Sequence, residues 1–219
     1  MLFMKAHSER VPGKNMRPLC GRPLFHWIMD GLNESGVVDE IIINTDSEEI
    51  ANSAKNNFDV TIHMRPEYLL NIQSNEPSQI MSYDLDITDG KYFIQTHSTN
   101  PLVKAETIKD AVEMFFTNMD QYDSLFSVTP LQTRLYDGDF NALNHDSNNL
   151  IKTQELPFIY EENSCIYVFS RKSFTDNKNR IGTKPYLFPI NRHEAVDIDE
   201  EYDFLLAGAM MLERIDKII

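Results

Sequence analysis

Several of the commonest site signatures are missing from this chain, and each absence removes a class of function. There is no G-x-x-x-x-G-K-[ST] and no G-x-G-x-x-G, so neither a Walker-type phosphate loop nor a dinucleotide fingerprint is present. There is no G-x-S-x-G elbow, which argues against a serine hydrolase of that type. The six histidines (His7, His26, His63, His97, His145, His193) show no HxxxH or HExxH spacing, so no zinc site is expected. The two cysteines, Cys20 and Cys165, lie far apart and match no metal or redox spacing, as in a reduced, cytoplasmic protein. No apolar run approaches the ~20 residues that span a bilayer. The amino end lacks the charged, apolar and small-residue segments of a signal peptide, so a domain without a leader is expected. Positive charge is scarce as well: 20 Lys and Arg stand against 34 Asp and Glu, a net charge of −14. Such a chain lacks the basic face that displaces counterions from phosphates, so neither nucleic acid nor an anionic membrane is expected as a partner.

What is present is a core-forming sequence. With 219 residues, 42% hydrophobic and 11% aromatic, one α/β domain spanning residues 1–219 is expected. A short apolar run, Met1–Lys5, predicts a buried first strand. Pro23 stands where a first helical residue should, and Leu24, Trp27, Ile28, Gly31 and Leu32 follow at helical spacing, with Gly36 as a stop. Residues 40–46 predict a central parallel strand, with Asp46 or Ser47 capping the next helix. A third strand is expected at Asp59–His63, a polar loop at 71–75, and a helical stretch at Pro77–Leu85. Lys91–Thr96 predicts another strand, Ile108, Ala111, Val112, Phe115 and Met119 an amphipathic helix, and Ser124–Val128 a further strand. This alternation predicts a three-layer αβα fold around a doubly wound, mostly parallel sheet. From residue 131 the rhythm breaks, and turn signals over 131–162 predict an inserted β-hairpin region. Cys165–Phe169 resumes the sheet, a Lys- and Asn-rich loop leads to Tyr186–Ile190, and a last helix carries Phe204, Leu205, Gly208, Met211, Leu212 and Ile215.

Polar clusters close four of these segments: 5–15, 44–46, 95–100 and 197–199. In a parallel sheet the carboxyl ends share one edge, where loops distant in sequence line one cleft. The first cluster, Met4-Lys-Ala-His-Ser-Glu-Arg-Val-Pro-Gly-Lys-Asn15, reverses the sign of the chain. Residues 1–25 hold Lys5, Arg10, Lys14, Arg17 and Arg22 against one acid, Glu9. On charge alone this is a solvated basic turn; after a first strand it is also where such sheets take an anion. Asp197-Ile198-Asp199 places two carboxylates on one side of an extended segment, with Ile198 toward the core. That spacing suits either one hard cation or the cap of the last helix. Glu200, Glu201 and Asp203 are expected to be solvated first-turn acids. His7 and His97 end strands, whereas His26 is expected on a helix surface.

Taken in order, these residues resemble the cytidylyltransferases that activate 3-deoxy-2-keto sugar acids, above all the acylneuraminate cytidylyltransferases. That family follows its first strand with A-R-x-G-S-K-x-x-P-x-K-N. Here Lys5 stands at the Arg and Ser8 at the Ser, while Pro12, Lys14 and Asn15 match outright. Gly21-Arg22-Pro23-Leu24 matches G-[KR]-P-L, and Asn44–Ala51 echoes S-T-D-x-E-E-I-A. Arg65-Pro66-Glu67-Tyr68-Leu69 matches R-P-x-x-L, and Thr99-Asn100-Pro101-Leu102 is similar to T-S-P-L. Gln154-Glu-Leu-Pro157 and Glu162-Asn-Ser-Cys-Ile-Tyr167 resemble Q-D-L-P and E-N-G-A-I-Y, and Asp197-Ile198-Asp199 matches the metal-binding D-I-D. Ala6, His7 and Glu9 stand in place of the family's glycines and first-loop Lys, and Ser164 in place of a Gly.

The resemblance implies a Rossmann-like nucleotidyltransferase sheet and transfer of CMP from CTP to the anomeric hydroxyl of a sialic-acid-like (nonulosonic) sugar acid. Lys5, Ser8, Arg10, Lys14, Asn15 and Arg65 are then expected on the nucleotide, with Lys14, Arg10 and Asp199 catalytic. Gln95, His97, Ser98, Asn100, Gln154 and Asn163 are expected on the sugar, and Asp197 and Asp199 on Mg²⁺. A homodimer formed through 131–162 is expected too. A different sugar acid (Kdo-like), another nucleotide, and a relative that binds nucleotide without turnover, motivated by Glu9, stay open.

Overall fold

A computed structural model of the chain describes residues 1–70 and 77–216. The polar loop expected at 71–75 lies outside the described residues. In chain order the elements are β1 (Leu2–Met4), β2 (Pro18–Leu19), β3 (Arg22–Pro23), α1 (Leu24–Ser35), β4 (Ile42–Thr45), α2 (Glu48–Asn57), β5 (Thr61–Met64), α3 (Pro77–Asp86) and β6 (Tyr92–Thr96). Then come α4 (Ala105–Thr117), β7 (Ser124–Leu131), β8 (Ile159–Ser170), α5 (Arg171–Asn177), β9 (Pro185–Pro189) and α6 (Glu201–Asp216).

One group of strands runs β1-β4-β5, all parallel, and a second runs β6-β8-β7-β9. The Met1 amine donates to the Ile94 carbonyl and the Thr96 N–H to the Met1 carbonyl, the slanted pattern of a parallel pair, so β1 and β6 join the two groups. The sheet order is therefore β5-β4-β1-β6-β8-β7-β9. Only β8 runs against its neighbours, pairing antiparallel with β6 and β7, whereas β7 and β9 are parallel. The expected doubly wound, mostly parallel sheet is present.

Strand periodicity builds the three layers. Alternate residues (Leu2, Met4, Ile43, Ile166, Val168) pack with Phe25, Ile28 and Leu32 of α1, Ile50 and Ala54 of α2, and Ile108 and Phe115 of α4. The residues between them (Met1, Ile42, Phe93, Tyr167, Phe169) pack with Met81 and Leu85 of α3 and Phe174 of α5 on the other face. Helix boundaries follow capping chemistry. Pro23 precedes α1, and Gly36 closes it at φ 67°, a left-handed conformation in which a side chain is strained. Ser47, not Asp46, caps α2, its hydroxyl accepting from Ile50 N.

Three expectations need correction. His26 is buried, edge-on to Phe25 and Phe58 with its Nε2 on Ser53 Oγ, because α1 turns that face to α2 and the chain after it. Met119 lies beyond the end of α4 and is 41% exposed. Part of the expected Lys- and Asn-rich loop is the short helix α5, capped by Ser170. Among the described residues no helix is long and apolar enough to cross a membrane.

Candidate active site

The basic loop leaves β1 at the carboxyl edge and is held there by its own short polar groups. Ala6 N donates to Asp46 Oδ1 (2.6 Å) at the end of β4. Asn15 bridges the loop, its Nδ2 on the Lys5 carbonyl (3.0 Å) and its Oδ1 accepting from Ser98 Oγ (2.7 Å) after β6. Val11 is the apolar pin. It is fully buried with Leu19, Leu24, Ile198, Phe204 and Ala207, so one small hydrophobic cluster sets the loop against the 197–199 segment. Arg17 adds a second tie, a forked pair with Glu201 (2.5 and 2.6 Å) and a guanidinium 4.1 Å above the Phe204 ring.

That packing brings the two opposite charges together. Arg10 Nη2 lies 2.7 Å from Asp199 Oδ1, and Lys14 Nζ donates to the Ile198 carbonyl at 3.9 Å from the same carboxylate oxygen. Burial lowers the Lys14 pKa, partly offset by Asp199 and Asp197. Arg10 and Asp199 are both half-exposed, so opening their contact costs at most about 1 kcal/mol and an incoming anion can take over the cations.

Ile198 points into the core as expected and donates its N–H to the Thr99 carbonyl. Asp197 sits beneath, its pKa raised first by burial and held back by a hydrogen bond from Thr99. Its Oδ1 is buried with no hydrogen-bond partner, which is costly unless a ligand completes it. The capping alternative falls to Asp203, which accepts from the N–H groups of Asp199 (3.0 Å) and Glu200 (2.8 Å). Nor are the first-turn acids simply solvated: Asp203 caps and Glu201 is paired with Arg17. Among the described residues no group of three or more His, Cys, Asp and Glu could hold a metal.

The other expected site residues divide. Lys5 is exposed and Ser8 half-buried on the loop, neither with a side-chain hydrogen bond among the described residues. Ser98 and Asn100 are buried at the end of β6. Asn100 Nδ2 donates to the Val196 carbonyl, while its Oδ1 is unpartnered. Gln95 and His97 share a cluster with Arg180, whose Nη1 donates to Gln95 Oε1 (2.9 Å) and lies 3.3 Å from His97 Nε2.

Arg65 is a buried clamp: its Nε binds Asn44 Oδ1 (2.8 Å) and its Nη2 reaches the Met4 carbonyl (3.3 Å) at the ends of β4 and β1. Asn163 is engaged inside β8, with Ser127, Thr129 and the Cys165 N–H, where the β7–β8 register shifts. Gln154 is exposed in the segment between β7 and β8, and among the described residues only its backbone carbonyl is hydrogen-bonded. Sequence reasoning missed Arg180, which lies in a polar stretch with no periodicity to mark it; it places Asp46 in the 44–46 cluster but not as the partner of the basic loop. Two cavities, 730 and 350 Å³, share Lys91 and Tyr92 and lie at the opposite, amino edge of the sheet.

Fold and site together define a doubly wound α/β domain with an anion-suited loop after β1, facing a carboxylate pair across the carboxyl edge. A family model described as "Cytidylyltransferase" matches residues 2–211, and the chain belongs to that family. It is 30% identical over 218 residues to CMP-N,N'-diacetyllegionaminic acid synthase of Legionella pneumophila, covering 94% of this chain and 93% of that one. It is 24% identical to N-acylneuraminate cytidylyltransferase of Streptococcus agalactiae over 92% of this chain and 50% of that one. The chain thus spans about half the length of that relative. Among solved structures, CMP:2-keto-3-deoxy-manno-octonic acid synthetase complexed with CTP superposes with a TM-score of 0.70 at 10% identity, covering 97% of each chain. The 4-diphosphocytidyl-2C-methyl-D-erythritol synthase of Anaerococcus prevotii gives 0.69 at 13% identity, covering 96% of this chain and 95% of that one. These two likenesses concern the fold.

Proposed function

We propose that the protein transfers CMP from CTP to the anomeric hydroxyl of a nonulosonic sugar acid and releases pyrophosphate. The observation that carries this is the juxtaposition, through Val11 and Ile198, of Arg10 and Lys14 with Asp197 and Asp199. The names of the relatives in Legionella and Streptococcus support the sugar class. In the reaction the sugar oxygen bonds to the α-phosphorus, the bond from that phosphorus to the bridging oxygen breaks, and the hydroxyl proton leaves to a base. Little covalent chemistry falls to the protein, so positioning and charge stabilisation dominate. Arg10 and Lys14 exchange Asp199 for the triphosphate, with Lys5, Ser8 and loop N–H groups alongside. Asp199, so released, accepts the proton. Asn15 and Arg65 act by fixing the loop and the ends of β1 and β4.

The orphaned Asp197 oxygen and the neighbouring Asp199 suit Mg²⁺, which takes one or two carboxylates and completes its shell with phosphate and water. Bound there, the ion would neutralise phosphate charge and make the sugar hydroxyl easier to deprotonate. Both cysteines are free thiols, in keeping with a cytoplasmic enzyme. We also propose a homodimer through 131–162, where Phe140 is 87% and Leu150 75% exposed.

The test is pyrophosphate release from CTP and Mg²⁺ across a panel of 2-keto sugar acids. Asp199→Asn is expected to keep the fold and lose most turnover, at least about 100-fold as for other single electrostatic contributors. Product formation at the parental rate would remove the assignment of Asp199. Glu9, an exposed carboxylate beside Arg10, favours a second reading in which the protein binds nucleotide without turnover. Magnesium-dependent CTP binding with no pyrophosphate from any acid would select it.

A further inference from the structure

Arg180 is a half-buried cation without a carboxylate partner. Its guanidinium carbon lies 3.5 Å from the centroid of the Tyr167 ring, and its Nη1 is held by Gln95 Oε1 at 2.9 Å, close to His97 Nε2. Among the described residues no carboxylate comes within ion-pair distance of it. The nearest acid it feels, Glu162, instead accepts a hydrogen bond from the Tyr167 hydroxyl. Burial lowers the Arg180 pKa, the direction expected of a cation removed from water, and burial with Arg180 pushes His97 down to about 4, so His97 stays neutral. In a chain with 34 acidic residues, a half-buried arginine left without one is not a matter of supply. A desolvated charge is favourable only when something completes it.

Its position says what completes it. Gln95 is on the last turn of the pleat in β6, at the carboxyl edge, and Ser98, three residues on, is hydrogen-bonded to Asn15 of the basic loop. Arg180 therefore flanks the loop from the side opposite β4. The segment behind it is fixed: Gly182 N donates to Ser124 Oγ, and the N–H groups of Thr183 and Lys184 donate to the two oxygens of Asp123. A Cβ at Gly182 would fall 2.2 Å from Asp123 Oδ1, so only glycine allows this docking. A planar guanidinium stacked on a ring and held at one end is pre-organised for a carboxylate.

We infer that Arg180, stacked on Tyr167 and held by Gln95, is a specificity-determining residue that binds the carboxylate of the acceptor sugar acid. This rests on the proposed function, and the experiment separates the two. Steady-state kinetics are measured for wild type, Arg180→Gln and Arg180→Lys with CTP, Mg²⁺ and the best acid of the panel, and again with its methyl ester. In Arg180→Gln, KM for the acid is expected to rise roughly 10- to 100-fold with KM for CTP unchanged. The wild-type preference for acid over ester should collapse toward unity. Arg180→Lys keeps the charge but not the fork, and should retain part of that preference while raising KM for the acid. An unchanged CTP KM reports an intact fold; should Arg180→Gln not fold, Arg180→Lys decides alone. Wild-type acid KM and wild-type acid-over-ester preference in the folded variants overturn the inference and leave the proposed function standing. Failure of the wild-type protein to turn over any acid overturns both.

Discussion

At His97 the environment holds an imidazole neutral where water would protonate it. Burial first, and then the Arg180 guanidinium, push its pKa down to about 4 from an ordinary value of 6.5. Between those two pH values the unfolded chain takes up a proton that the folded chain refuses, so this group's contribution is complete above 6.5 and lost as pH falls toward 4. From pH 7 to pH 5 it amounts to about 2 kcal/mol, at ~1.4 kcal/mol per pH unit below the unfolded pKa. Asp84 and Asp197, raised by burial, act in the opposite sense, so the useful quantity is a difference between proteins. Urea unfolding of wild type and His97→Gln should show the wild type losing more stability from pH 7 to pH 5. Parallel curves would mean that His97 does not carry the effect. Strand-end polarity made Lys14, Asn15, Gln95 and Asp199 legible in the sequence, because polar residues stand out where an apolar run stops. Partnership was not legible. Nothing in spacing shows that Asn15 bridges two loops, that Arg65 clamps two strand ends, or that Arg180 reaches Gln95.

Among the elements, the long helices were readable because their apolar faces repeat at 3.6 residues, as in α1 and α4. Shorter or two-sided pieces were not. The α5 helix has seven residues and buries only Ser173 and Phe174, too few for a period to emerge. The β8 strand was expected at Cys165–Phe169 but begins at Ile159, since residues 159–162 form a solvated arm paired with Val128–Leu131 and present no buried face. That arm leads into a region with Tyr136, Phe140, Leu143, Leu150 and Phe158 all more than half exposed. Such exposed apolar area gathered in one segment is the basis for the proposed contact with a second copy of the chain. Light scattering at micromolar concentration is expected to give a dimer, and the double variant Phe140→Glu, Leu150→Glu a folded monomer. A monomeric wild type under those conditions would withdraw the homodimer.

For the molecule as a whole, the net charge of −14 and the small basic loop set opposite fields: the surface repels polyanions at large, while the loop gives one edge of the sheet a charge suited to a short one. Fold class was legible from the alternation of elements, and the family from the order of its motifs. The position of β8 was legible from neither. This strand comes late in the chain yet sits between β6 and β7, with Gln95 facing Tyr167 and Phe126 facing the same residue from the other side. Until residues 159–170 have been synthesised, β6 has one unpaired edge and β7 has no neighbour at all, since β9 comes later still, and those edges are exposed to other chains. A fragment ending at residue 158 is therefore expected to aggregate when expressed, whereas in the full-length protein the amides of Cys165–Phe169 should exchange with deuterium among the slowest. A soluble, cooperatively folding fragment would show that the sheet assembles without its central antiparallel strand.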